Sequence, residues 1–452
     1  MPQPAGQPHQ ALMIRSISSK WLMLLITLFF AGSQCNGGTQ PRMVEIRDDS
    51  TTYVGKVVAK DADSCVLIDR YGVMSELPIS GLKSFTVVSE SFKPASTSAF
   101  MQKLLKEFPA GYEVKISAHY VVCGGQGRTE AYAGLFEEIF RQIASFYSVR
   151  RFGTAEPEVP LVAIVFATQD EFREYCERDA MKWTDTLRGY YSPKSNRVAL
   201  YDDPGHLNSV TGMSPRSVET YDSAATPGQW PSRAVSRHTQ TRSPVFSTVV
   251  EWRLRESPLI PESRLVVELP DQMCSSHNGA ALLNSITGET ANTIIHETTH
   301  QVGYNIGIHS RLGATPTWLI EGLATLLEAP GMRVRGKSAT GTKINSGRLE
   351  WFTGEYQSRR KPGDLARMAA SDDMFRNETL DAYSSAWAFT WFMTENPARA
   401  RQFSSYLKTV TERDPLKQYT ADERLSDFTA AFGDIARLEV ELMRTIDGLE
   451  SP

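Results

Sequence analysis

The run His296-Glu297-Thr298-Thr299-His300 holds the residue types from which a metal-dependent hydrolytic site is built. On an α-helix, residues four apart are separated by roughly 400°, so His296 and His300 lie on one face, one turn apart, where both imidazoles can reach one ion. Neutral imidazole suits Zn2+, and a carboxylate flanking that face can take a proton from a bound water and later return it to a leaving amine. Glu297 has that place, which is the mechanical content of an H-E-x-x-H motif. Thr293, Ile294 and Ile295 before the motif and Val302 and Tyr304 after it put apolar groups on the helix, as a buried site helix needs. Two solvent-facing histidines on an ordinary helix are the plainer reading.

A catalytic zinc commonly takes three protein ligands and a water, so a third ligand is expected. Pro316-Thr317-Trp318-Leu319-Ile320-Glu321-Gly322-Leu323-Ala324 supplies one: Pro316 fits a helix start, and Glu321 is the lone charge in the apolar helical segment 318–327. An unpaired carboxylate is costly to bury there, and metal coordination removes that cost. The twenty residues between His300 and Glu321 leave room for a turn and an antiparallel second helix. A salt-bridged or exposed glutamate is the alternative. Thr325, one turn beyond Glu321, could support a ligand, although a plain helix position is simpler. His309 lacks ligand spacing and reads as a loop histidine.

H-E-x-x-H followed by W-x-x-E-G-x-A resembles the gluzincin peptidases of peptidase clan MA. The longer string, 296–311 with 316–328, resembles an uncharacterised peptidase-MA-like family of exported bacterial proteins. The resemblance runs from the β-rich N-terminus to the C-terminal helices, but its specific motifs occupy only about 35 residues. It implies His296, His300 and Glu321 as zinc ligands, Glu297 as general base, and a peptide or protein substrate. Tyr383-Ser384-Ser385-Ala386-Trp387-Ala388-Phe389 resembles the gluzincin aminopeptidase helix whose tyrosine stabilises the tetrahedral intermediate, which implies Tyr383 as an oxyanion donor. Such an aromatic-rich helix equally places a tyrosine in the core. The G-x-M-E-N stretch with which those aminopeptidases bind a free amine has no equivalent before the His296 helix, so exopeptidase activity is not implied. The strand at 196–201 stands nearest that position; it fits an added-strand contact with an extended peptide or an ordinary sheet strand.

Around these motifs, residues 43–88 alternate five β-rich runs (43–46, 53–59, 65–69, 74–79 and 85–88) with turn residues such as Asp48-Asp49-Ser50 and Tyr71-Gly72. They predict a small β-barrel of SH3-like type over 41–92, a module suited to docking a protein partner. Residues 98–202 predict a mixed α/β layer. Its helices are expected at 98–108, at 128–149 with an apolar stripe from Tyr132 to Phe146, and at 170–178 behind an Asp cap; its strands are expected at 112–123, 161–167 and 197–201. Residues 203–262, rich in Ser, Thr, Pro and Arg, read as a long insertion, either a disordered loop or a mobile lid. The zinc-binding part over 263–452 reads as helical from Thr287, apart from a looped stretch at 330–347. The expected fold class is α+β: a zincin-like catalytic domain, with a mixed sheet, the H-E-x-x-H helix and C-terminal helices, preceded by the small barrel.

With 41% hydrophobic and 22% charged residues, the 452-residue chain is far from a disordered composition. A formal charge of -4 gives no electrostatic reason to expect nucleic acid. Arg15 and Lys20 precede an apolar run at 21–30 and the small residues Ala31, Gly32 and Ser33. This predicts a signal peptide over 1–35, an exported chain (periplasmic, cell-surface or secreted) and no transmembrane helix after cleavage. Cys35 raises lipidation, although Gln34 fits that signal poorly. Export permits a disulfide, Cys123 with Cys176 being one pairing, while buried thiols are the other reading. Against a zinc peptidase stand hydrolysis of some other bond and an inactive zincin-like binding or structural module of the cell envelope.

Overall fold

A computed structural model describes residues 41–202, 283, 288–334 and 340–449. The expected signal peptide, Cys35, Cys274 and the expected insertion at 203–262 lie outside the described residues. Two compact units are present: residues 41–70 with Met74–Lys93, and Tyr71–Val73 with the chain from Pro94 onward.

In the first unit, β1 (Met43–Arg47), β2 (Thr52–Lys60), β3 (Ser64–Asp69), β4 (Met74–Pro78) and β5 (Ser84–Ser89) form an antiparallel sheet in the order β4-β3-β2-β1-β5. Strand alternation buries Val44 and Ile46 of β1 with Cys65, Leu67, Leu77 and Leu82, and leaves Arg47 exposed. The five expected strands are all there, but not as a closed barrel. Among the described residues β4 pairs with β3 and β5 with β1, and no ladder joins β4 to β5, so the sheet stays open.

The second unit begins with α1 (Thr97–Glu107), β6 (Tyr112–Ile116), β7 (Tyr120–Gly125), α2 (Thr129–Val149), β8 (Leu161–Phe166), α3 (Gln169–Arg178), β9 (Gly189–Ser192) and β10 (Arg197–Tyr201). Its sheet has the order β6-β7-β8-β10-β9, with β7, β8 and β10 parallel and the outer strands antiparallel to their neighbours. Every residue of β8 is buried, which is why it reads as a continuous apolar run. Val122, Leu161, Ala163 and Val198 face the Tyr132, Phe136, Ile139 stripe of α2. Val121, Val162, Ile164 and Ala199 face Phe100 and Leu104 of α1 and Phe172 of α3.

Several local expectations change. Residues 112–123 are not one strand but a hairpin, whose turn is held from afar: the Ser117 hydroxyl and the His119 N–H both donate to Glu137 on α2. Helix α3 is capped by Thr168, in a reciprocal capping box with Glu171, rather than by Asp170. Strand β10 has β8 on one side and β9 on the other, so both edges are used and it is an ordinary sheet strand with no place for an added peptide. Cys123 and Cys176 form no disulfide; they are buried free thiols, each pushed up to about 12 by burial.

The helical part contains α4 (Gly288–Asn305), α5 (Thr317–Glu328), α6 (Pro330–Arg333), α7 (Ser346–Glu350), α8 (Asp364–Ala370), α9 (Asp373–Asn377), α10 (Thr379–Glu395), α11 (Pro397–Thr411), α12 (Ala421–Phe432) and α13 (Ile435–Asp447). Helix α10 is buried on all sides from Asp381 to Thr394, as its lack of a charged face beyond the first turn requires. Trp318 of α5 packs among Phe389, Phe403, Tyr406 and Phe428, joining α5 to α10, α11 and α12. The result is a mixed α/β chain with an N-terminal antiparallel sheet and C-terminal helices. Among the described residues no helix is long and apolar enough to cross a membrane.

Candidate metal centre

Helix α4 is locked onto the sheet by side-chain amides. Gln301 donates to the carbonyls of Val162 at 2.9 Å and Asn196 at 3.0 Å, and the amides of Asn196 and Asn305 exchange hydrogen bonds of 2.9 and 2.8 Å. Gly189 of β9 allows the close approach: a Cβ there would lie 3.0 Å from Leu200 Cβ and 3.1 Å from Thr293 Cγ2. Helix α5 is held at its start by Asp372, which accepts from the Thr317 N–H at 3.0 Å and is itself bound by the buried Arg424 at 2.9 Å. One orphan donor of the helix terminus is thereby satisfied.

Between these two helices the donors converge. His296 Nε2 lies 3.1 Å and His300 Nε2 3.7 Å from Glu321 Oε2, and one donor atom from each of the three falls within 4.8 Å of the others. Donors about 2.1 Å from a tetrahedral zinc ion stand roughly 3.4 Å apart, and the two separations from Glu321 Oε2, 3.1 and 3.7 Å, bracket that spacing. Burial alone would raise the Glu321 carboxyl. The charges of His300 and His296 and hydrogen bonds from His296 and Tyr383 outweigh it and hold the group down at about 2, ionised as a ligand must be.

Glu297, 8% exposed, stands beside the donors with Oε2 accepting the Tyr191 N–H of β9 at 2.9 Å. Tyr383 arrives from α10; its ring centroid is 6.4 Å from that of His296, and its hydroxyl helps to hold the Glu321 carboxyl down. The structure therefore brings together His296, Glu297, His300, Glu321 and Tyr383. It leaves out two others. The Thr325 hydroxyl is spent on its own helix, donating to the carbonyls of Glu321 at 2.7 Å and Gly322 at 3.1 Å. His309 is a loop histidine as expected, but a buried one: it packs against Gly303 and the Tyr304 ring, and burial first, then the neighbouring His300, pushes it down to about 3, so it is neutral.

Glu328 and Asn345 were not expected. His296 Nδ1 lies 2.8 Å from Glu328 Oε1, and the Asn345 amide donates to Glu328 Oε2 at 2.8 Å and to the Thr325 carbonyl at 3.0 Å. A carboxylate on Nδ1 selects the tautomer that carries its proton there and turns the Nε2 lone pair toward the site. The available signal was spacing, since Glu328 follows Glu321 by seven residues, two helical turns, on one face. Glu328→Ala is expected to weaken zinc binding about 10- to 100-fold, and Glu328→Gln by less, as read by competition against a chelator. Unchanged affinity in both variants would take Glu328 out of the site.

Residues 290–417 match the model of a family described as a protein of unknown function (DUF1570). The matched span covers a little over a quarter of the chain and includes every site side chain named here on α4, α5 and α10, together with Asn345, but not Tyr191. No curated protein matches the chain.

Proposed function

We propose that the chain is an exported zinc-dependent hydrolase with a zincin-like core of the gluzincin kind, and that it cleaves peptide bonds. One observation carries this reading: two imidazole nitrogens and a carboxylate meet within 4.8 Å, with a second carboxylate, Glu297, pinned beside them by a backbone N–H. His296, His300 and Glu321 would hold the ion. When bound it supplies a Lewis acid and makes water acidic enough to be deprotonated near neutral pH. Glu297 takes that proton and returns it to the leaving nitrogen, and the Tyr191 N–H keeps its carboxylate in place through both transfers. Tyr383 is near enough to the donor set to give a hydrogen bond to the developing oxyanion.

The substrate's path is a cleft lined by Gly189, Thr293, Glu297, Asn345 and Tyr383. It borders Gly189 at the start of β9, the outer strand of the sheet, so an extended peptide would enter beside that end of β9, not on β10. Purified chain is expected to carry about one zinc ion and to cleave members of a peptide library; chelation should abolish turnover and zinc restore it. Chelation should also lower the melting temperature, because an ion at about 100 times its dissociation constant stabilises the folded state by about 2.7 kcal/mol. A chain without zinc, or turnover indifferent to chelation, would overturn the proposal.

A further inference from the structure

Asn292 and Thr293 precede His296 and Glu297 by four residues on α4, so they repeat the placement of that pair one helical turn, about 5.4 Å, toward the helix start. Both line the cleft beside the donor set. Thr293 is buried and turns its methyl to Gly189: a Cβ on that glycine would lie 3.1 Å from Thr293 Cγ2. The cleft borders the same glycine, so a chain entering beside the start of β9 passes this turn of α4. Asn292 is half-buried there, and its carboxamide makes no hydrogen bond to another described residue.

A carboxamide accepts through its oxygen and donates through its nitrogen. The backbone of one residue in an extended chain offers the matching pair, since its N–H and C=O point to the same side and both bond to one neighbour. Such a chain rises about 3.3 Å per residue, so a group one helical turn from the imidazoles meets it one or two residues from the bond at the metal. We propose that Asn292 is a substrate-binding residue that reads main chain: its carboxamide pairs with the N–H and C=O of one residue of an extended peptide, one or two residues from the bond that is cut. The inference rests on the hydrolase reading for its use, but main-chain binding can be measured without turnover.

Zinc-loaded protein would be titrated by calorimetry with two peptide hydroxamates, whose metal-binding end fixes the register: acetyl-Ala-Ala-Ala-hydroxamate for one side of the cleaved bond and hydroxamate-malonyl-Ala-Ala-Ala-amide for the other. Each alanine in turn would then be N-methylated. Asn292→Ala is expected to weaken one of the two probes about 3- to 30-fold, the loss of one or two neutral hydrogen bonds. At one position of that probe, methylation should cost the parent about 3- to 10-fold more than it costs Asn292→Ala, which has no partner left to lose. Asn292→Asp still accepts an N–H and should stay sensitive to the methyl at that position. The wild-type chain would be assayed for cleavage of a peptide library. Methyl sensitivity that depends on Asn292, without any cleavage, leaves the main-chain contact standing and sinks the hydrolase reading. Cleavage together with the same methylation penalties in parent and Asn292→Ala overturns the contact alone. Failure of both probes to bind overturns the two together.

Discussion

Glu297→Gln is expected to keep its zinc and lose about a hundred- to ten-thousand-fold in kcat, the range that a positioned proton-transfer group supplies. The substitution is nearly isosteric, and the amide oxygen still accepts the Tyr191 N–H, so the side chain has no reason to leave its place. The three donors lie on His296, His300 and Glu321, and none is touched. What changes is basicity: an amide cannot take the proton that a carboxylate takes. Metal content and turnover must be read on the same preparation, since a variant that lost its zinc would be slow for another reason. A fall of less than tenfold with zinc retained would remove Glu297 as the base. An inactive wild type would leave a zinc-binding module.

The place of Glu297 was legible because it depends on one helix. Helical periodicity alone puts His296, Glu297 and His300 in adjacent positions, whatever the rest of the chain does. Glu321 was legible for a different reason, as a charge that an apolar helix has no other use for. Tyr383 needed a resemblance, because a tyrosine in an aromatic helix is ordinarily core, and α10 is indeed buried all round. Glu328 escaped notice because a glutamate at the end of a helix is unremarkable in sequence; only the meeting of α4 with α5 gives it an imidazole to hold. The Tyr191 N–H escaped for a stronger reason. It is a backbone group on a four-residue strand, Gly189–Ser192, with no long alternation to announce it. The same limit explains the hairpin at 112–125, where Glu137, far along the chain, does the work of a turn residue. In the first unit strand content was readable from local propensity, whereas closure is a property of strand order, and that order left the sheet open.

Gly322, next to the third donor, should be among the least replaceable residues of the helical part. A Cβ built on it would fall 2.3 Å from Thr390 Oγ1 and 2.8 Å from the Ala386 carbonyl oxygen, both on α10. The hydroxyl can rotate away; the carbonyl is part of the α10 backbone and cannot. Alanine is the better helix former by about 1 kcal/mol, but forcing α5 and α10 apart costs about 3 kcal/mol, so Gly322→Ala is expected to destabilise by a net of about 2 kcal/mol. The effect reaches the site, because α5 carries Glu321 and Glu328 and α10 carries Tyr383. Zinc affinity should therefore fall together with stability. Chemical denaturation of zinc-free protein measures the first loss and chelator competition the second. Adding Thr390→Ala to Gly322→Ala relieves the contact with the hydroxyl and leaves the one with the carbonyl, so it should recover only part of each loss. Gly354→Ala, whose Cβ would meet nothing within 4 Å, should stay near the parent in both measurements. Full recovery in the double variant would mean that the helices can separate at Ala386 without cost, and that the close crossing of α5 and α10 does not hold the donors in place.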